Sequence, residues 1–297
     1  MPDTHFAKFT EASNCLLATL KGLSIDQLTP ALKEFSTLTW AAVTALSLGQ
    51  RFYIPNGADI ISKNTLQQTK VNLPYSCIAV LDEVDLLEDI SDVNTKIGTA
   101  FKISIAFTPE SELNRRFALI DDGYLFGILS LLELGTPPWT CTPGVVSCSF
   151  DEKEGYHLFA RDLECSREVE ARINNRGVEK FIIEREFTQD VYSIVNLCTM
   201  LSLHNVKTRT VAPPEKLQKK RLKHGGKPLF SYKVLVVDGE EWHDSGNKGT
   251  GTGSVRSHMR RGHIRQLHNS DRRVWVRATL VHGKAAGFVS KDYKINT

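Results

Sequence analysis

The chain has 297 residues, 41% of them hydrophobic and 24% charged, with a formal net charge of +3. That length and near-average composition exclude a wholly disordered, collagenous or coiled-coil protein and provide for a sizeable core in one large or two ordinary domains. No apolar run reaches the ~18–20 residues of a membrane span, and the opening Met1-Pro2-Asp3-Thr4-His5 lacks the basic and apolar regions of an export signal, so a cytosolic protein without a membrane partner is expected.

The first ~50 residues read as two helices. Ser24 and Gln27 fit a capping box, followed by an apolar stripe at Leu28, Leu32, Phe35, Leu38 and Ala42; Gly22 and Gly49 serve as stops. From 70 to 165 the pattern turns to strands, expected at 76–81, 101–107, 116–120, 145–150 and 156–161. Strands without regularly alternating helices favour α+β, with N-terminal helices on a mixed or antiparallel sheet, over a doubly wound fold. Asp82, Glu83, Asp85, Glu88 and Asp89 follow the first of these strands and read as a solvated loop. Six cysteines, with no C-x-x-C pair among them, read as reduced, buried thiols, and structural zinc is disfavoured. Residues 188–205 form an amphipathic pattern ended by Val211-Ala212-Pro213-Pro214.

The modest total charge divides sharply at that break. Residues 1–206 carry 17 Lys/Arg against 27 Asp/Glu, and residues 207–297 carry 20 against 7, a net of −10 against +13. The expected organisation is an acidic α+β body over 1–206 and a basic module over 207–297. The module opens with a short helix holding Lys219, Lys220, Arg221 and Lys223, stopped by Gly225-Gly226. A strand at 232–237 follows, then a glycine-rich loop at 246–253 that lacks the Gly-Lys-Ser/Thr ending of a phosphate loop.

Residues 257–267 and 272–280 read as an antiparallel hairpin, and 287–295 as a third strand closing a β-meander. Strand alternation, with Ile264 assigned to the same face as Val274 and Val276, puts Arg261, His263 and Arg265 beside Arg273, Trp275 and Arg277. Arginines bind phosphates and an aromatic ring stacks on bases, so this face, with Arg256, Arg260 and the helix lysines, is the expected nucleic-acid surface. His258 and His263 are the candidates for metal-independent phosphodiester cleavage, but their odd spacing sets them on opposite faces unless Gly262 bulges. Zinc held by His258, His263 and His268 is disfavoured for want of an acid or thiolate partner. No cofactor and no metal site are expected.

The segments Lys220 to Leu235 and Arg256 to Arg265, with Val274-Trp275-Val276, Lys291-Asp292-Tyr293 and Leu73-Pro74-Tyr75, resemble a group of phage and prophage proteins. The resemblance covers ~45 residues and implies a context, the cytosol of a bacterial host, without implying an activity. The expected function is that of an accessory protein binding DNA or RNA through its basic third. Two alternatives stand beside it: an interaction protein that inhibits a host factor by docking on its acidic surface, and a His/Arg nuclease. The oligomeric state is not legible in the sequence.

Overall fold

The computed structural model describes residues 5–23, 29–54, 69–90, 93–133, 139–161, 163–165, 167, 181–237, 256–260, 263–268, 271–276, 279–281 and 285–289. Helix α1 (His5–Gly22) buries Phe9, Ala12 and Leu16, a three-and-four spacing along one side. Helix α2 (Pro30–Leu48) starts five residues later than the Ser24 capping box would place it, and residues 24–28 lie outside the described residues. Thr29 is its cap, accepting from the Leu32 N–H at 3.3 Å, and Pro30 occupies the first turn, where its missing N–H costs nothing. Gly49 ends α2 with its N–H on the Ala45 carbonyl at 2.7 Å; a Cβ there would stand 2.7 Å from that same oxygen.

The strands that follow build one mixed sheet. They are β1 (Gln50–Tyr53), β2 (Cys77–Ile90), β3 (Val93–Phe107), β4 (Phe126–Glu133), β5 (Trp139–Cys141), β6 (Val146–Asp151), β7 (Gly155–Ala160), β8 (Val206–Val211) and β9 (Tyr232–Val237). The order is β7-β6-β4-β3-β2-β1-β9-β8, with β5 paired to β4. From β2 to β7 each step is antiparallel, whereas β1 lies parallel to both β2 and β9. The α+β expectation with N-terminal helices holds.

One face of this sheet carries Ala79, Leu81, Ile103, Ile105, Phe107, Leu129 and Leu131 into a common core with α1 and α2. The alternate residues, Val80, Asp82, Ser104 and Ser130, are buried on the other face. There, helix α4 (Phe181–Leu201) is hydrogen-bonded to Asp82, Ser104 and Ser130. The sheet therefore lies between two helical layers.

Three expectations change here. No strand forms at 116–120: helix α3 (Glu112–Phe117), capped by Ser111, takes its first two residues and ends at Ala118 in the left-handed region. Asn114 explains that geometry: its amide donates to the Pro109 and Ile120 carbonyls, and its carbonyl accepts the Leu119 and Ile120 N–H groups, all at 2.9 Å. The acidic run 82–89 lies on β2 rather than in a loop, and Asp82 is fully buried. Residues 206–211, read as part of the break after a helix, form strand β8.

The chain divides into two compact units, Met1–Thr199 with Thr208–Leu235, and Met200–Lys207 with Val236–Thr297. The charge division at 206–207 does not coincide with this one, because β9 inserts between β1 and β8 and draws residues 208–235 into the sheet-bearing unit. The second unit holds β10 (Arg256–Arg260), β11 (His263–Gln266), β12 (Arg273–Val276), β13 (Thr279–Val281) and β14 (Ala285–Val289). The expected hairpin is present as the antiparallel pairs β10–β13 and β11–β12. The third strand differs from the expected meander, since β14 pairs parallel to β10 and makes it the centre of a three-stranded sheet. All six cysteines are free thiols, and among the described residues no helix is long and apolar enough to cross a membrane.

Candidate nucleic-acid interface

Helix α5 (Glu215–Lys223) follows Pro213-Pro214, and none of its residues is buried. Nine residues are too few for a helix to hold itself together in water, so it depends on tertiary anchors. Gln218 supplies the main one: its amide donates to the Leu229 carbonyl and accepts the Leu229 N–H, both at 2.8 Å. Arg221 adds a bond from Nε to the Lys227 carbonyl at 3.2 Å. Leu229 is buried, and Phe230 is tied down by its N–H on Thr10 Oγ1 and by the Arg51 guanidinium 4.6 Å from its ring centre. The C-terminal stop forms as expected: Gly225 takes φ +73°, and the Gly226 N–H reaches back to the Arg221 carbonyl at 2.9 Å.

These anchors set the helix rotation. Gln218 and Arg221, three residues apart, form its half-buried inner side. Lys216, Lys219, Lys220 and Lys223 follow the i, i+3, i+4, i+7 spacing and form an exposed stripe on the outer side. Three of the four were anticipated. Lys216 was missed, although the same spacing in the sequence marks it, and Arg221 lies half-buried on the inner side with its Nε on the Lys227 carbonyl. The Lys219–Glu215 ion pair at 3.3 Å is 79% and 88% exposed, so it leaves the lysine accessible and adds little stability. Arg209 on β8 and Lys227 beyond α5 add exposed positive charge to the same unit.

In the second unit the register overturns the expected basic face. His263 stands opposite Val276, Ile264 opposite Trp275, Arg265 opposite Val274 and Gln266 opposite Arg273. Directly opposed residues of an antiparallel pair share a face. His263 and Arg265 therefore lie with the two valines, and Arg273 and Trp275 lie on the other side with Ile264 and Gln266. The expectation had paired Ile264 with the valines as a one-sided core. Val274, Val276 and Ile264 are all only half-buried, so no such core selects that parity, and the turn closed by the Leu267 N–H on the Arg272 carbonyl at 2.9 Å sets it instead. Arg265 and Arg273 are both exposed, on opposite faces.

Arg256, His258 and Arg260 lie on β10, with His258 opposite Val281 and Val289; Arg261 and Arg277 lie outside the described residues. Residues 261–262 and 277–278, between the β10–β13 and β11–β12 pairs, lie outside the described residues. His258 on β10 and His263 on β11 belong to separate sheets, and Gly262, on which their facing depends, lies outside the described residues. Within this unit the Asn205 side chain acts as a strand partner for β12, donating to the Trp275 carbonyl and accepting the Trp275 N–H, both at 2.8 Å. The His204 N–H adds a bond to the Arg273 carbonyl at 2.9 Å.

The second concentration of charge is enclosed. Asp82 on β2 pairs across the ladder with Lys102 on β3, and Ser104 pairs with Ser130 on β4. From α4, Asp190 accepts from Ser104 and from Ser130 (3.0 Å) and lies 3.0 Å from Lys102 Nζ, while Ser193 donates to Asp82 at 2.7 Å. Burial pushes the Asp82 carboxyl up to about 6, with the neighbouring Asp190 adding to the rise against Ser193 and Lys102. Burial likewise raises Asp190, against the pull of Lys102 and both serines. Asp82 and Asp190 have no exposed surface and Lys102 only 5%, so this network acts on the docking of α4 rather than on a solute.

A depression of about 120 Å³ lies between Glu34, Leu38, Phe117, Val145, Arg161 and Leu163. Its two charged groups are engaged with backbone: Glu34 accepts the Cys165 N–H, and Arg161 donates to the Ala118 and Leu119 carbonyls. No family model, curated protein or solved structure matches the chain.

Proposed function

We propose that the protein binds nucleic acid through its basic surface, with the four-lysine stripe of α5 as the principal contact. The observation that carries this reading is the orientation of that helix. Bonds from Gln218 and Arg221 hold its inner side, which leaves Lys216, Lys219, Lys220 and Lys223 together on the outer one. An exposed lysine array of this kind attracts a polyphosphate by releasing its condensed counterions. Arg265 and Arg273 of the hairpin supply further exposed guanidinium groups, each able to pair a phosphate in a bidentate fashion.

A salt titration tests the reading. Four lysines that each neutralise one phosphate give log K against log salt a slope of about −3.6, steeper if the hairpin takes part. Affinity for nucleic acid that stays flat between 50 and 300 mM salt (roughly six-fold, ample for such a slope) overturns it.

A further inference from the structure

The geometry points to a double helix, DNA or RNA, as the ligand of the α5 stripe, held by its backbone without reading its bases. This inference rests on the nucleic-acid reading above and narrows it. Two observations carry it. The first is spacing. Lys216 to Lys223 spans seven residues, about 10 Å along the helix axis. A duplex presents one phosphate per ~1.7 Å of its axis, roughly six over that span, whereas one of its strands presents about three. Four lysines on one short stripe are matched by the two-stranded density and exceed the other.

The second observation is that the segment carrying the stripe has no aromatic side chain of its own. Proteins that hold single strands add aromatic side chains on which unpaired bases lie. Residues 206–229 contain no Phe, Tyr or Trp. The next aromatic residue, Phe230, is half-buried, and its ring is covered by the Arg51 guanidinium of the body at 4.6 Å. Lysine is also a rotatable point charge without the planar fork that reads guanine edges, so the stripe favours phosphate over base contacts. Binding is then blind to sequence.

The test measures the full chain against duplex DNA, duplex RNA and single-stranded DNA of two unrelated sequences, by fluorescence anisotropy at several salt concentrations. Wild type is compared with the quadruple variant Lys216→Gln, Lys219→Gln, Lys220→Gln, Lys223→Gln, and with Lys33→Gln as an exposed lysine on α2 outside the stripe. The substituted lysines are solvent-exposed, and circular dichroism and thermal melting check that the variant is folded.

The proposal expects at least one duplex to bind about 10-fold or more tighter than the single strand, with the tighter arm naming the DNA or RNA source. The two sequences should agree within about two-fold. The quadruple variant should reduce the duplex salt slope by about 3.6 and erase most of the duplex preference, while Lys33→Gln changes neither. Single strands bound as tightly as duplexes, or strong sequence preference lost with the stripe, overturn the inference and leave the broader reading standing. Duplex binding unaffected by the quadruple variant does the same and transfers the contact to the hairpin. No salt-sensitive binding to any probe overturns both.

Discussion

Asp82 shows how one residue type changes meaning with its phase along a strand. It follows Ile78 and Val80 at intervals of two, so β2 turns it inward with them, and Lys102 and Asp190 meet it there. The alternation was present in the sequence, yet the cluster of neighbouring acids suggested a solvated loop. The partners that make the buried site tolerable come from β3, β4 and α4, and one-dimensional spacing does not bring them together.

The buried pair has a consequence for pH. Folded Asp82 keeps its proton to about pH 6, whereas its unperturbed value is 3.8. The folded state therefore binds more protons between those values. This site's contribution to stability is fully present below the unfolded value and is lost as pH rises through about 6. The groups facing it are Lys102, Asp190 and the Ser193 hydroxyl, and the loss is on the order of 2–3 kcal/mol over the whole range, about half of it above pH 5. Urea unfolding at pH 5 and pH 7.5 should give a fall in stability for wild type that is smaller in Asp82→Asn, which keeps an acceptor for Ser193. An undiminished fall in the variant refutes this role.

At the scale of elements, α5 was legible because its signals are local: a proline start, a glycine stop and consecutive basic residues. Its rotation was not, because Leu229 and Lys227, which bind Gln218 and Arg221, fix it from outside the helix. The hairpin gives the complementary lesson. Both strands were visible as β-prone runs, but their register depends on how the turn closes, and a one-residue difference in pairing exchanges the faces. Half-buried residues on both sides gave the pattern no apolar face to select the parity.

Asn205 is the side chain that continues β12 beyond its ladder. Asn205→Ala removes both of its bonds to Trp275 and leaves that residue's N–H and carbonyl without them. Each bond is worth about 0.5–1.5 kcal/mol, so loss of both should accelerate amide exchange at Trp275 by roughly 5- to 150-fold. Hydrogen-exchange mass spectrometry or NMR reads this directly. Unchanged exchange there means the clamp carries no stability.

For the whole molecule, the small net charge of +3 conceals an acidic region and a basic one, and the fold does not separate them along the same line. Unit 1 joins the acidic body to α5 and to most of β8 and β9, so the lysine stripe is attached to a body that repels the same ligand. The stripe is therefore a local attractor, and its contacts should be confined to its own side chains and their basic neighbours. Lysine-selective acylation, read by mass spectrometry with and without a saturating duplex, tests that claim most directly. Binding through the stripe protects Lys216, Lys219, Lys220 and Lys223 and leaves Lys33 and Lys153 labelled equally in both states; equal labelling of the four stripe lysines with and without nucleic acid would contradict it.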